Sequence, residues 1–328
     1  DTLAAQKGST IDVPIPPTIA AAAVTPAATP PSTTDITLAT TQVAMSSWYE
    51  TAFELTDQQQ MEIMDGAIPM SAKAALAKLV DTIDVSILTA MDVGAGAATG
   101  TAGTTPFATI GGALVGNKLL NDHRIDRSNR HVVFDSAAEL NLLSLTSFSD
   151  AQFVGDVSAM TTGQYAGNTR VGAQWWMDQN VVTHTAGTGA SYLVNSAALT
   201  VGSTTIPADT GSGTILAGDV VTFAGDTTNQ YVVATALSAG SFTINSPGLK
   251  VAIADNAAIT VKASHVANVA FNRDAIVFAS RPFQQSNSAF ASQTMSDPIS
   301  GLNLRLEVTR EYKRDRWSFD ALWGTKVV

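Results

Sequence analysis

The sequence predicts a mixed α+β chain. Three observations carry this. One long stretch has apolar residues at 3.6-residue spacing, a strand–helix alternation surrounds residues 130–145, and short Val/Ile/Thr strands with Gly/Asp/Ser turns fill residues 190 to 264.

Taken in order, residues 8–16 (GSTIDVPIP) alternate and carry Pro14 and Pro16, which reads as an edge strand because proline removes a ladder donor. Residues 17–34 are Ala/Pro/Thr-rich and read as an extended, uncharged loop. Two further strands follow. The second sets Tyr49, Thr51, Phe53 and Leu55 on one face and Trp48, Glu50, Ala52 and Glu54 on the other. Residues 1–60 thus read as a long projecting β-hairpin, an arm with little core of its own. Pro69 then precedes the strongest helix. Its apolar face runs through Ala72, Ala75, Leu76, Leu79, Val80, Ile83, Ile87 and Ala90, with Asp81 and Asp84 opposite. This gives about six turns, roughly 30 Å, ending at the glycine-rich 94–103.

A second helix is predicted over 107–121. The strand Arg130–Phe134 leads into a capping box, Ser136 with Glu139, that opens the next helix. Residues 190–264 read as a small inserted β-barrel or sandwich, with strands such as 219–223, 230–234, 241–244 and 258–263. Two alternating strands close the chain, one through Leu302, Leu304, Leu306 and Val308, the other through Trp317, Phe319 and Ala321. The charged 310–316 between them, with Arg310 and Arg314, is expected to be a turn facing solvent or a partner.

Composition narrows the class. The chain has 328 residues, 45 % hydrophobic and 14 % charged, against about 25 % charged in an ordinary soluble protein. Such a surface suits a subunit covered by partners; a Ser/Thr-rich secreted or surface β protein, such as an adhesin or tail fibre, is the alternative. The net charge of −10 argues against a nucleic-acid reader but not against a container for nucleic acid. The absence of cysteine removes disulfides, thiolate metal sites and Cys nucleophiles. The chain begins at Asp1, which reads as a processed or trimmed product, and no signal peptide is recognisable. The uncharged 13–34 is interrupted by prolines and is not a membrane helix.

Motifs for chemistry are missing. The nucleophile-elbow pattern G-x-S-x-G does not occur. Gly111 to Gly116 has P-loop glycine spacing, but Asn117 stands where a lysine must meet phosphate. Gly94 and Gly96 follow a helix, not a strand, and read as a linker. His123, His131, His184 and His265 form no HExxH pair and read as surface or packing residues. Asp219, Asp226 and Asp255 read as turn-setting residues. No catalytic residue, metal site or cofactor is therefore expected. The candidate functional residues are inter-subunit contacts: Pro14, Pro16, Trp48, Arg124, Arg127, Arg130, Trp176, Arg310 and Arg314. The 124–130 arginines also have a plain reading as a solvated loop. Trp175 and Trp176 are adjacent on a strand, so one points to the core and the other to a surface or interface.

Several stretches, in order, resemble the major coat proteins of short-tailed phages of the Salmonella P-twenty-two type. They are GSTIDVPIP, AKAALAKLVDTIDVSIL, LLNDHRIDRSNRHVVFDSAAELNLL, WWMDQNVVTHTAGT, NVAFNRDAIVFASRPF and GLNLRLEVTREYKRDRWSFDALWGTKVV. The resemblance touches most of the chain and is weakest in 17–34 and 190–264. It implies the Hong Kong 97-type capsid fold: an N-terminal segment and extended β-loop over 1–68, a spine helix with peripheral-domain linker over 69–106, an axial domain over 107–189 and 265–295, an inserted β-domain over 190–264, and C-terminal strands over 296–328. It further implies self-assembly through hexamers and pentamers around double-stranded DNA, with scaffolding, portal and decoration proteins as partners, in a virion assembled in the host cytoplasm. The family's N-terminal helical arm and its last few residues have no counterpart in this sequence, and no covalent cross-link is expected.

Overall fold

The stretch with 3.6-residue spacing forms one continuous helix, Ala67–Gly94, in the computed structural model of the protein. The structure describes residues 10–15, 19, 21, 26, 39–62, 67–149, 166–283, 291–298 and 301–328. At 28 residues the helix is about 42 Å long, more than the predicted six turns. Pro69 does not precede it but lies in its first turn, where a backbone N–H has no intrahelical partner to lose. Leu79, Ile83, Leu88 and Met91 are buried, whereas Val80, assigned to the apolar face from the sequence, is 51 % exposed.

The chain divides into two compact units, residues 1–82 with 277–326, and residues 83–276; Val327 is grouped with the second and Val328 with the first. In the first unit, strand Thr10–Ile15 pairs antiparallel with Ala39–Ala44, Thr10 opposite Ala44 and Ile15 opposite Ala39. Strand Ser47–Thr56 does not extend that hairpin. It runs antiparallel to the C-terminal strand Arg314–Val327, from Ser47 opposite Trp323 to Thr56 opposite Arg314. The expected arm over 1–60 is corrected accordingly: among the described residues only 10–15 and 39–44 form a hairpin of their own. Cross-strand aromatic pairs hold the other ladder, Phe53 stacked on Trp317 at 6.1 Å and Tyr49 on Trp323 at 5.3 Å. Strands Asn303–Glu311 and Ala291–Ser296 continue the sheet beyond Arg314–Val327.

The second unit has two cores. In one, strands Val269–Asn272, Arg130–Phe134, Ala173–Met177 and Ala166–Arg170 form a sheet in that order, with Arg130–Phe134 and Ala173–Met177 parallel. Trp175 is fully buried, ringed by Phe107, Phe134 and Phe148 at 5.4–6.1 Å. Helices Ile110–Asp122 and Ser136–Ser144 accompany this sheet. The cap of the second differs from prediction by one residue. Asp135 is the N-cap and accepts from the Ala137 and Ala138 amides, so Ser136 is already helical and is not the cap.

The other core is a six-stranded sheet ordered Ile259–Val261, Val220–Phe223, Asp226–Ser238, Ser241–Ile244, Thr205–Asp209 and Leu193–Val194. Its two edges meet. Leu193 bridges Ala258, the Ile259 amide donates to the Tyr192 carbonyl at 2.9 Å, and the Val194 amide donates to the Ala257 carbonyl at 3.0 Å. The sheet is thereby closed into a barrel with no free edge. Ile206, Val221, Phe223, Val233, Phe242 and Ile244 fill its interior.

Candidate functional site

Among the described residues, no group of three or more His, Cys, Asp or Glu side chains could hold a metal ion. Gly111, Gly112 and Gly116, which have P-loop spacing, lie inside helix Ile110–Asp122. Gly116 lies in the helix interior with its amide in the helical ladder, so the three glycines do not form the loop that a P-loop requires. The glycine-rich segment after the long helix instead lines a groove of about 380 Å³ with Asp135, Lys262 and His265.

The residues expected at subunit contacts fare differently. In the first unit, Pro14 is exposed on its two-stranded ladder, opposite Thr40; Pro16 lies outside the described residues. Trp48 is 62 % exposed, although its indole N–H donates to Asp320 Oδ2 at 3.1 Å and its ring packs on Phe283 at 5.3 Å. Arg305 forks onto both oxygens of the same Asp320, Nε to Oδ1 at 3.0 Å and Nη2 to Oδ2 at 2.7 Å. Arg310 pairs with Asp57 and Asp315 at 2.7 and 2.8 Å, and Arg314 with Glu54 at 2.6 Å. The charged 310–316 is thus an internal ion-pair network at the surface, with its two-residue turn at Tyr312 and Lys313.

In the second unit, Arg124 and Arg127 are exposed. Arg130 is only 4 % exposed and donates to the Asp126 and Ile125 carbonyls at 2.8 and 2.6 Å. It is corrected from contact residue to structural anchor, because a buried guanidinium spent on its own loop cannot reach a neighbour. Trp175 and Trp176 divide as their adjacency requires, one fully buried and the other 42 % exposed.

One constellation escaped the sequence reading. His184, expected at the surface or in apolar packing, lies with a nearly buried side chain between two carboxylates. Its Nδ1 is 3.0 Å from Asp92 Oδ2 and its Nε2 is 2.9 Å from Asp219 Oδ1. Asp219 does set its turn, accepting from the Leu216 amide at 2.6 Å, and also accepts from the Gly187 amide at 2.9 Å. Burial pushes the Asp92 carboxyl above its ordinary value, against the opposing pull of His184. Sequence carries little signal for this grouping, since 92, 184 and 219 share no spacing motif. The nearest hint is Gly218, whose φ of +91° and lack of a side chain let the imidazole lie against the backbone; a Cβ there would stand 2.6 Å from His184 Cε1.

No protein-family model matches the chain, and no curated protein does. Solved structures do. A chain from the structure of Mycobacterium phage Che8 is similar over 98 % of this chain and 82 % of its own, at 14 % identity and a TM-score of 0.53. A chain from the capsid structure of the cyanophage P-SCSP1u aligns over 98 % and 81 %, at 11 % identity and TM-score 0.48. A chain from the mature capsid of bacteriophage PhiM1 aligns over 98 % and 79 %, at 10 % identity and TM-score 0.47. Along nearly its whole length, then, the chain shares the fold of a phage protein.

Proposed function

We propose that the chain is the major capsid protein of a tailed phage, a shell subunit and not an enzyme. The observation that carries this reading is the fold shared with the phage Che8 chain over 98 % of the sequence. It agrees with the ordered stretches that resemble short-tailed-phage coat proteins, and with a surface carrying few charges. In this reading the fold is of the Hong Kong 97 type. Residues 1–68 hold the extended loop, 69–106 the spine helix and peripheral linker, 107–189 and 265–295 the axial domain, 190–264 an inserted domain corresponding to the closed barrel, and 296–328 the strands returning to the body.

The work done is assembly through hexamers and pentamers into an icosahedral shell. A contact of about 1.4 kcal/mol changes one binding constant only tenfold, but a closed shell makes many at once. A net charge of −10 would leave enclosed double-stranded DNA mobile. Scaffolding, portal and decoration proteins are the partners, and assembly takes place in the host cytoplasm. Among the described residues no helix is long and apolar enough to cross a membrane.

Velocity sedimentation of the full chain, co-expressed with a scaffolding protein, tests the reading. Particles sedimenting as closed shells are expected. A product that stays monomeric, or forms only elongated trimers with scaffold present, would instead favour the surface-protein alternative.

A further inference from the structure

The C-terminal turn of the long helix is fastened to the barrel by groups that share protons. Asn245, in the loop after strand Ser241–Ile244, donates from Nδ2 to the Val93 carbonyl in the helix's last turn and the Ala95 carbonyl just beyond it, at 2.7 and 2.9 Å. Gly96 lies so close to this loop that a Cβ would stand 2.7 Å from the Ser246 carbonyl. Beside these neutral contacts lies the Asp92–His184–Asp219 chain. Asp92 stands in the last helical turn, where the helix dipole disfavours a negative charge and no basic residue of the helix offsets it.

Proton counting decides how this chain behaves. Both ring nitrogens of His184 lie at hydrogen-bond distance from a carboxylate oxygen. Asp219 already accepts two backbone amides, so it serves as acceptor toward Nε2. The Nδ1 contact is a hydrogen bond in either of two arrangements. The ring carries both protons and donates to each carboxylate, or Asp92 carries one and donates to Nδ1. Each arrangement holds two protons in the cluster. Remove one, and the Nδ1 lone pair faces an ionised carboxylate in a site that water barely reaches, which is repulsive. Among the described residues a further titratable neighbour is His265, paired across from His184 with ring centroids 5.4 Å apart; Lys262 lines the adjoining groove with it.

We propose that Asp92, His184 and Asp219 form a proton-dependent latch that fastens the end of the long helix to the barrel and releases as pH rises. The sign follows from the count. The latch is complete when the second proton is present, at lower pH, and is lost as that proton leaves. The raised Asp92 carboxyl agrees in direction, since a group whose folded form favours the proton gives stability that is lost on the alkaline side. The latch stands whether or not the chain builds a shell.

Hydrogen exchange read by mass spectrometry on the full chain, corrected for intrinsic rates, tests this over a series of pH values from acidic to alkaline within the range where the chain stays folded. Protection of residues 88–96 should fall about tenfold or more, as expected for losing a hydrogen bond to a charged group. In Asp92→Asn the amide donates to a neutral Nδ1, both contacts survive without the second proton, and protection should hold level. In His184→Ala it should be low throughout. A wild-type protection that does not change over this range, or an Asp92→Asn chain that falls as the wild type does, overturns the latch. Should His184→Ala fail to fold, the Asp92→Asn comparison decides alone.

Discussion

Arg130 and Arg124 lie six positions apart in one basic loop and meet opposite fates. Strand pairing sets Arg130 opposite Asn272 and turns its guanidinium inward onto two carbonyls, while Arg124, with φ of +58°, stays exposed. Arg130→Ala should destabilise the fold by about 2–3 kcal/mol in urea denaturation, because it removes two hydrogen bonds donated by a buried, charged guanidinium. Arg124→Ala should stay within about 0.5 kcal/mol of wild type. The spacing of the three arginines was legible in sequence; their burial was not, since it depends on a strand more than a hundred residues away. His184 illustrates the same gap. By contrast, the split between Trp175 and Trp176 followed from strand alternation alone. Tyr231 offers a second test at this scale. Its hydroxyl donates to the buried Asp226 at 2.6 Å, and burial above all, with that bond, pushes it up to about 12. A phenol raised in the folded state contributes stability present below its ordinary value near 10 and lost as pH climbs toward 12. A late-ionising component is therefore expected in an ultraviolet titration, and Tyr231→Phe should remove it. A wild-type titration without that late component, or a late component that survives in Tyr231→Phe, would contradict the assignment.

At the scale of elements, local signals located most pieces but misjudged their limits. The 3.6-residue spacing found the long helix, yet proline was taken as its boundary. A first helical turn tolerates proline because its amide is spare there, so Pro69 lies inside the helix. Asp135 outcompeted Ser136 as N-cap by accepting from two amides at once. The short Val/Ile/Thr strands of 190–264 announced a barrel or sandwich, and the bridge from Leu193 to Ala258 makes it a barrel. Which strand would carry Ser47–Thr56 was not legible, because alternation gives faces and not partners; the aromatic pairs with Trp317 and Trp323 fix it. A barrel with closed edges and its own apolar interior should fold alone. A fragment spanning 190–264 should give a dispersed NMR spectrum with cooperative thermal unfolding, and a collapsed amide spectrum would show that it depends on the rest of the chain.

At the scale of the whole molecule, the chain pairs a low charge density with large apolar side chains left in solvent. Trp176 is 42 % exposed and Trp48 62 %. A lone monomer gains nothing from such groups, but tryptophan is enriched where subunits meet. Trp176→Ala should leave the thermal midpoint nearly unchanged while raising the concentration needed for assembly, read by light scattering during co-expression or reassembly. The central claim, that this chain builds a closed shell, is tested most directly by electron microscopy of the full-length product made together with its scaffolding protein. Closed isometric shells with pentamers at the vertices and hexamers between them are predicted. Monodisperse monomers or elongated trimers under the same conditions would contradict it.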